Sequence, residues 1–190
     1  VIVPGMPQGT FDMRTLVTSY CEPERIIPQA MAKFYGLPMF AIGGASEAKL
    51  EDLQASAEAA MSLVVETLIG SDIIHDLGYL ESGLTFSFVQ LALCDEIVSW
   101  TKTFSNEIEV SEETLALDVI ADIGPDGEFL KTDHTLRHYK ERWYPSIFER
   151  ETYRAWLEKG GKSFSERAQK KIDEFLVQHK PANLPTQAQE

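Results

Sequence analysis

Apolar residues recur at intervals of three or four over much of this chain, which is the spacing of helices that bury one face. The clearest such segment covers 50–69 and has Glu51 and Asp52 in its first turn, where the helix dipole favours acids. We expect its inward positions to be Leu50, Leu53, Ala57, Met61, Val64 and Leu68. The same spacing predicts helices over 23–35, 82–103, 111–123, 135–143, 147–157 and 165–179. Ser111 is an expected N-cap, and the last helix should bury Ala168, Ile172, Phe175 and Leu176.

Short apolar segments between these helices predict strands. Residues 39–42 form an unbroken apolar run closed by Gly43 and Gly44, as in a strand that is buried on both faces. Residues 72–78 and 127–130 are the other two candidates. Strands that alternate with helices predict a parallel sheet of the α/β class, with right-handed crossovers.

Three parallel strands alone would leave both sheet edges unpaired, whereas eight such units close into a barrel. The sequence therefore predicts the C-terminal portion of a TIM (β/α)8 barrel with extra C-terminal helices, in which earlier strands precede Val1. We expect this domain to cover 1–180. Residues 181–190 contain two prolines and no apolar periodicity, which predicts a flexible tail.

Charge and composition exclude several functional classes. The 190 residues include 30 acidic and 17 basic side chains, so the net charge of −13 would repel a nucleic acid or an anionic membrane surface. The apolar runs are shorter than the roughly 20 residues that a membrane span requires. Cys21 and Cys94 form no CxxC motif, which is typical of a reducing, cytoplasmic compartment where thiols fill the core.

Four segments occur in an unusual order along the chain. They are Tyr35-Gly36-Leu37-Pro38 with Gly43-Gly44, then Asp52-Leu53-Gln54-Ala55, then Gly70-Ser71-Asp72, then Leu130 with His134-Thr135-Leu136. The last segment continues through His138, Glu141, Trp143, Pro145, Arg150 and Trp156. Over most of 15–178, this ordered set resembles the trimethylamine methyltransferase family.

The resemblance implies a TIM-barrel enzyme that passes an N-methyl group from a methylated amine to the Co(I) of a corrinoid carried by a separate partner protein. The chain itself is then expected to bind no cofactor, and unpaired sheet edges predict a homo-oligomer. Founding members carry pyrrolysine, whereas relatives without it resemble demethylases of quaternary amines such as glycine betaine. Because this sequence contains no pyrrolysine, we favour a quaternary amine over trimethylamine.

The active site of a barrel gathers at the carboxyl ends of its strands. The candidate catalytic residues there are His75, Asp76 and His134, and the candidate substrate-binding residues are Gly44, Ser46, Tyr79 and Glu81. Tyr79 would contact the substrate cation, and Glu81 would supply a counter-charge. His75 with Asp76 would act as a general acid or bind the substrate, and the backbone near Gly44 would hold a substrate carboxylate.

Each of these residues also has a purely structural interpretation. Tyr79 can pack against a loop, Glu81 can open the next helix, and His75 can be a hydrogen-bonded core residue. Paired glycines can simply form a tight turn. The sequence leaves these alternatives open.

His134, His138 and Glu141 fall at i, i+4 and i+7, so they share a helix face, as ligands of a divalent metal would. Thr135 stands where the HExxH motif of zinc proteases has its general-base Glu, so the motif is broken and we expect no metal. A metal-dependent hydrolase or lyase that uses the three residues is the second hypothesis. A third is that this chain alone is an inactive folding or interaction unit.

Overall fold

The computed structural model describes residues 26–180, in which helices and short strands alternate before a helical C-terminal part. The first elements are α1 (Ile26–Tyr35), β1 (Phe40–Ile42), α2 (Leu53–Leu68), β2 (Ile73–His75), β3 (Tyr79–Leu80), β4 (Thr85–Phe86) and α3 (Phe88–Ser105). The helices that follow are α4 (Glu112–Leu115), α5 (Leu117–Ile123), α6 (Asp133–His138), α7 (Tyr153–Glu158) and α8 (Phe164–Gln178). The mixed α/β class is confirmed.

Strands β1 and β2 form the parallel pair that the sequence predicts, with Ile42 opposite His75. The expectation that β1 is buried on both faces is wrong, because Ala41 is 3% exposed but Phe40 is 62% exposed. Over the described residues, the parallel sheet consists of β1 and β2. The closed barrel therefore stays a prediction.

Helix α2 buries a different face from the one that its apolar residues predict. Asp52 is the N-cap and not a first-turn residue, because its side chain accepts N–H groups of the first turn. The buried positions are Ala55, Ala59, Ser62, Leu63 and Glu66. The predicted inward residues Leu50, Leu53, Met61 and Leu68 are exposed. The buried face includes a row of polar residues spaced four apart, namely Glu58, Ser62 and Glu66. Each of them makes hydrogen bonds to α1 or to the loop after β1, so this face of α2 is directed towards the sheet.

A β-hairpin occupies the beginning of the predicted helix over 82–103. Strands β3 and β4 pair antiparallel, with Tyr79 opposite Phe86, and the 3-10 turn Glu81–Gly83 lies between them. Helix α3 begins only after Ser87, whose Oγ accepts the N–H of Gln90 at 3.1 Å. A strand of two residues has no periodicity, so the apolar pattern alone cannot reveal it.

The helix predicted over 111–123 is divided in two. Ser111 is its N-cap, as expected, and its Oγ accepts the N–H of Thr114 at 3.3 Å. Ala116 then adopts a left-handed conformation, with φ of 48°, so α4 ends and α5 begins. The strand predicted over 127–130 is wrong, because this segment closes into a 3-10 turn in which the N–H of Thr132 bonds locally.

The C-terminal helix α8 packs against α3 through a narrow contact. Ala168 is fully buried, as predicted, but Phe175 and Leu176 are 64% and 57% exposed, so that part of the predicted inward face is wrong. The predicted tail over 181–190 lies outside the described residues. Within the described residues, no helix is long and apolar enough to cross a membrane.

Glu96, in the middle of α3, binds the loop that precedes α7. Its buried carboxylate accepts the N–H of Ser146 at 2.5 Å, the Ser146 hydroxyl at 2.6 Å and the N–H of Ile147 at 3.0 Å. Burial alone raises the pKa of Glu96, but the donated hydrogen bonds outweigh burial and hold this pKa below its ordinary value. Arg167 of α8 donates to the Ile147 carbonyl at 2.9 Å, so α3, the loop and α8 are joined.

We expect Glu96→Gln to lower the free energy of unfolding by about 2 to 3 kcal/mol at pH 7, because an amide cannot accept the same set of charge-assisted bonds. Because the pKa of Glu96 is depressed in the folded state, its contribution is present above the unfolded-state pKa. It is lost as the pH falls through the folded-state pKa. Urea unfolding at neutral and acidic pH measures both effects. Asp95→Asn, at an exposed acid of the same helix, is the control, and equal stability of Glu96→Gln and wild type at pH 7 would contradict the prediction.

Candidate functional site

The loops after β1 and β2 lie side by side, as their parallel pairing requires. The N–H of Gly43 donates to the His75 carbonyl at 3.0 Å, and the N–H of Ser46 donates to the Tyr79 carbonyl at 2.9 Å. The residues predicted after the first strand therefore contact those predicted after the second. The strand-end group, as we call it, consists of Gly44, Ser46, His75, Asp76, Tyr79 and Glu81.

Helix α2 holds the first of these loops in place. The Glu58 carboxylate accepts the Ser46 hydroxyl at 2.6 Å and the N–H of Glu47 at 2.9 Å. The N–H of Gly44 donates to the Ser62 hydroxyl at 3.0 Å. Both Gly44 and Ser46 are buried and already bonded within the protein, so a substrate carboxylate would have to displace Ser62. Direct contact of these two residues with substrate stays a prediction.

His75 and Asp76 form a pair at the end of β2. His75 Nδ1 lies 2.8 Å from Asp76 Oδ1, and the two side chains are 35% and 32% exposed. The ring of Phe40 lies against the imidazole, with the ring centroids 4.6 Å apart. Such exposure is high for a histidine enclosed in a core. The carboxylate fixes the ring through Nδ1 and leaves Nε2 to meet a ligand.

A row of aromatic rings extends from the β3–β4 hairpin to the first residue of α3. The ring centroids of Tyr79 and Phe86 lie 5.6 Å apart, and those of Phe86 and Phe88 lie 5.3 Å apart, both edge-on. Phe86 and Phe88 are exposed, and Tyr79 also packs against the buried Ala45. Sequence analysis did not identify Phe86 or Phe88 as site residues, because it assigned them to a helix. Aromatic residues on both sides of Gly83 were the signal available.

Glu81 lies in the turn of the same hairpin, where its Oε2 accepts the Thr85 hydroxyl at 3.2 Å. Glu81 and Asp76 have left-handed backbones, with φ of 49° and 70°. These are two of the three non-glycine residues with positive φ in the described chain, and both belong to the strand-end group. Backbone strain of this kind is frequent at functional sites.

Cys94 of α3 packs against the strand-end group at Gly44. It is fully buried, and its thiol donates to the Gly44 carbonyl at 3.3 Å. Burial raises the pKa of the Cys94 thiol to about 11. The thiol is therefore neutral at physiological pH and fills the core, as expected from the sequence. Cys21 lies outside the described residues.

His134 belongs to a second cluster, on α4 and α6. His134 Nε2 lies 2.8 Å from the Glu113 carbonyl oxygen, and the rings of His134 and His138 are 4.4 Å apart. His138 bonds Glu113 Oε1 at 2.9 Å and Glu141 Oε1 at 2.8 Å through its two ring nitrogens. The described contacts of His134 are made within this cluster, so its predicted catalytic role stays a prediction.

The carboxylate of Glu113 is the member of the second cluster that the sequence does not reveal. Its hydrogen bond to Glu113 raises the pKa of His138, and Glu141 adds to the effect. The same bond, followed by the charge of Arg137, lowers the pKa of Glu113. Glu113 lies more than twenty residues from both histidines, and no short motif links them.

The family model for trimethylamine methyltransferase matches residues 5–190, nearly the whole chain. The chain belongs to the trimethylamine methyltransferase family. It is 31% identical to trimethylamine methyltransferase MttB of Desulfitobacterium hafniense, over 97% of this chain and 38% of that protein. It is 34% identical to MttB of Methanosarcina thermophila, over 92% of this chain and 37% of that protein.

A glycine betaine methyltransferase of Desulfitobacterium hafniense is 28% identical, over 96% of this chain and 39% of that protein. The chain thus spans well under half the length of these relatives. The predicted resemblance to the trimethylamine methyltransferase family is confirmed, and both substrates that the sequence analysis considered appear among the relatives' names.

Several residues that carried the family resemblance have structural roles. Gly36 ends α1 with a positive φ of 65°, and Asp52 caps α2. Ser71 donates its hydroxyl to Glu66 at 2.7 Å, and Asp72 accepts the N–H of Met39 at 2.8 Å. In this member of the trimethylamine methyltransferase family, these segments fix the start of β1 and the start of β2. The strand-end group then lies where the two strands finish.

We expect Gly44→Ala to lower the free energy of unfolding by about 2 to 4 kcal/mol. The position has φ of +80°, and an added Cβ would lie 2.9 Å from Cys94 Sγ. Gly36→Ala is the matched control, because its φ is +65° but no atom lies within 4 Å of an added Cβ. The control should lose only the conformational part, about 1 to 2 kcal/mol. Urea unfolding measures both, and equal losses would disprove the steric contribution of Cys94.

Proposed function

We propose that the protein containing this chain transfers a methyl group from a methylated amine to the cobalt of a corrinoid partner protein. The observation that carries the proposal is the aromatic row Tyr79, Phe86 and Phe88, which runs from the hairpin to the first residue of α3. Glu81 lies in the turn of the same hairpin. Aromatic faces and a carboxylate are the groups that bind a methylammonium cation. The His75–Asp76 pair directly precedes this hairpin in the sequence. Membership of the trimethylamine methyltransferase family supplies the reaction class.

Methyl transfer to Co(I) is an in-line displacement at the methyl carbon. The C–N bond breaks and its electron pair stays on nitrogen, while an electron pair of the acceptor Co(I) forms the Co–C bond, so cobalt is formally oxidised to Co(III). A quaternary ammonium releases a neutral tertiary amine, and no proton is required. A neutral tertiary amine must first gain a positive charge to become a comparable donor. The favoured substrate is therefore a quaternary amine, such as a betaine.

The residues of this chain then serve mainly to position the substrate and to stabilise charge. The aromatic row contacts the ammonium group, at about 0.5 to 2 kcal/mol per ring. The Glu81 carboxylate balances its charge until the neutral amine forms. His75 in its imidazolium form, with Nδ1 donating to Asp76, can donate from Nε2 to the other end of the substrate, such as the carboxylate of a betaine.

The strands β1 and β2 are proposed to be two of the eight strands of a TIM barrel. Two observations support this architecture: the parallel pair has no further strand beside it over the described residues, and the apolar stripe of α2 is exposed. Leu53, Ala60 and Val64 of α2, with apolar residues of α3, line a groove of about 760 Å³. In a barrel, neighbouring helices cover such surfaces. A cytoplasmic location and a homo-oligomer stay predictions.

The second hypothesis, a metal-dependent hydrolase or lyase, is less well supported than methyl transfer. Family membership favours methyl transfer, and His134 and His138 lie together on α6 in a cluster of their own. The third hypothesis, an inactive unit, concerns this chain in isolation. It makes no statement about a protein as long as the relatives.

The deciding experiment uses the complete protein with its reduced corrinoid partner. Glycine betaine or trimethylamine is added, and methylation of cobalt is followed by visible absorbance. We expect methylation with the betaine and none with trimethylamine. Methylation with trimethylamine alone would reverse the substrate assignment, and no methylation with either amine, together with a hydrolytic or lyase activity, would refute the proposed reaction.

Phe86→Leu should raise the KM for the amine by about 2- to 30-fold, which corresponds to the loss of one cation–π contact. Steady-state kinetics of cobalt methylation measure the change. Phe104→Leu is the matched control, because Phe104 is an exposed ring at the far end of α3. An unchanged KM in Phe86→Leu would remove the aromatic row from the substrate site.

A further inference from the structure

The part of the chain around α4, α5 and α6 lacks a buried core. From 102 to 144, no residue is buried, and none of the three helices contains a buried side chain. The side-chain contacts that join α4 to α6 here are polar, and they centre on Glu113, His134 and His138.

These three residues bring metal-binding atoms together. One atom from each of Glu113, His134 and His138 lies within 4.8 Å of the others. His138 Nε2 is 2.9 Å from Glu113 Oε1. Ligand atoms around a tetrahedral zinc are about 3.3 Å apart, because Zn–N and Zn–O bonds are about 2.0 to 2.1 Å long. Small side-chain movements therefore suffice to place all three around one ion.

Glu141 supports the arrangement from behind. Its Oε1 lies 2.8 Å from His138 Nδ1, so His138 Nε2 is left directed at Glu113. A carboxylate that accepts from the second ring nitrogen is the usual support of a metal-bound histidine. Sequence spacing assigns Glu141 as the third ligand, whereas the structure puts Glu113 of α4 in that position.

We propose that Glu113, His134 and His138 form a zinc site that joins α4 to α6, with water as the fourth ligand. Two imidazoles and one carboxylate suit Zn²⁺, whereas Mg²⁺ and Ca²⁺ prefer oxygen ligands. Arg137 lies 2.7 Å from Glu113 Oε1, but its side chain is 61% exposed and free to turn into solvent when zinc binds. The ion joins α4 to α6, and none of its ligands belongs to the strand-end group. Zinc ligation replaces the catalytic role that the sequence suggests for His134.

Calorimetric titration of the purified, chelator-treated protein with Zn²⁺ tests the site. We expect one equivalent of zinc to bind, and Glu113→Gln and His134→Ala each to weaken binding by about 10-fold or more. Arg137→Gln should tighten binding, because it removes the competing cation. Glu112→Gln, at the adjacent acid that lies outside the cluster, should leave the affinity unchanged. Equal affinity in wild type, Glu113→Gln and His134→Ala would reveal an adventitious ion only and overturn the proposal.

Amide hydrogen exchange provides a readout that does not depend on affinity. Zinc should slow exchange over 112–138 in the wild-type protein, because the ion binds the folded arrangement of α4 and α6. At the same zinc concentration exchange should slow less in Glu113→Gln, which keeps the shape of the side chain but binds zinc more weakly. Circular dichroism without zinc verifies that each variant is folded. Wild-type exchange that is unchanged by saturating zinc would also overturn the proposal.

Discussion

The polar stripe of α2 is the constraint on which the arrangement of the sheet depends. Glu58, Ser62 and Glu66 follow one another at intervals of four residues, so they share one helix face. Glu58 binds the loop after β1, Ser62 binds the N–H of Gly44, and Glu66 bonds side chains from α1 and from the turn before β2. One helix thus fixes both ends of the sheet. Its apolar stripe must then face outward.

This constraint explains which parts of the fold the sequence predicts. The parallel pair depends on strand–helix alternation and was predicted correctly, and the approximate places of the long helices follow from local spacing. The bounds of several helices were wrong: the helix predicted over 82–103 begins at Phe88, the one over 111–123 is divided, and the one over 147–157 is the short Tyr153–Glu158. The buried face of α2 was not predicted correctly, because Glu58 and Glu66 are read as solvent-exposed when their partners are unknown. Their partners lie up to 37 residues away, on the other side of a strand. Long-range hydrogen bonds of this kind leave no mark in the apolar pattern.

The candidate site, like the fold, could be predicted from the sequence only in part. The sequence places His75, Asp76, Tyr79 and Glu81 near strand ends, because the side chains of a parallel sheet converge there, and their roles stay predictions. Phe86 was not considered beside them, because a strand of two residues is indistinguishable from the beginning of a helix. Glu113 was missed because its approach to α6 depends on the break at Ala116, a left-handed residue that no cap or proline announces.

Backbone conformation in the strand-end group bears on both of its interpretations. The chain turns several times between β2 and β4, and Gly78 and Gly83 satisfy two of the left-handed positions without cost. Aspartate tolerates this region through local hydrogen bonds, and Asp76 bonds His75, whereas Glu81 occupies it at about 1 to 2 kcal/mol. Glycine would relieve that strain at Glu81 if only the turn mattered. The strain therefore favours a role for the Glu81 carboxylate beyond the turn, and that role stays a prediction.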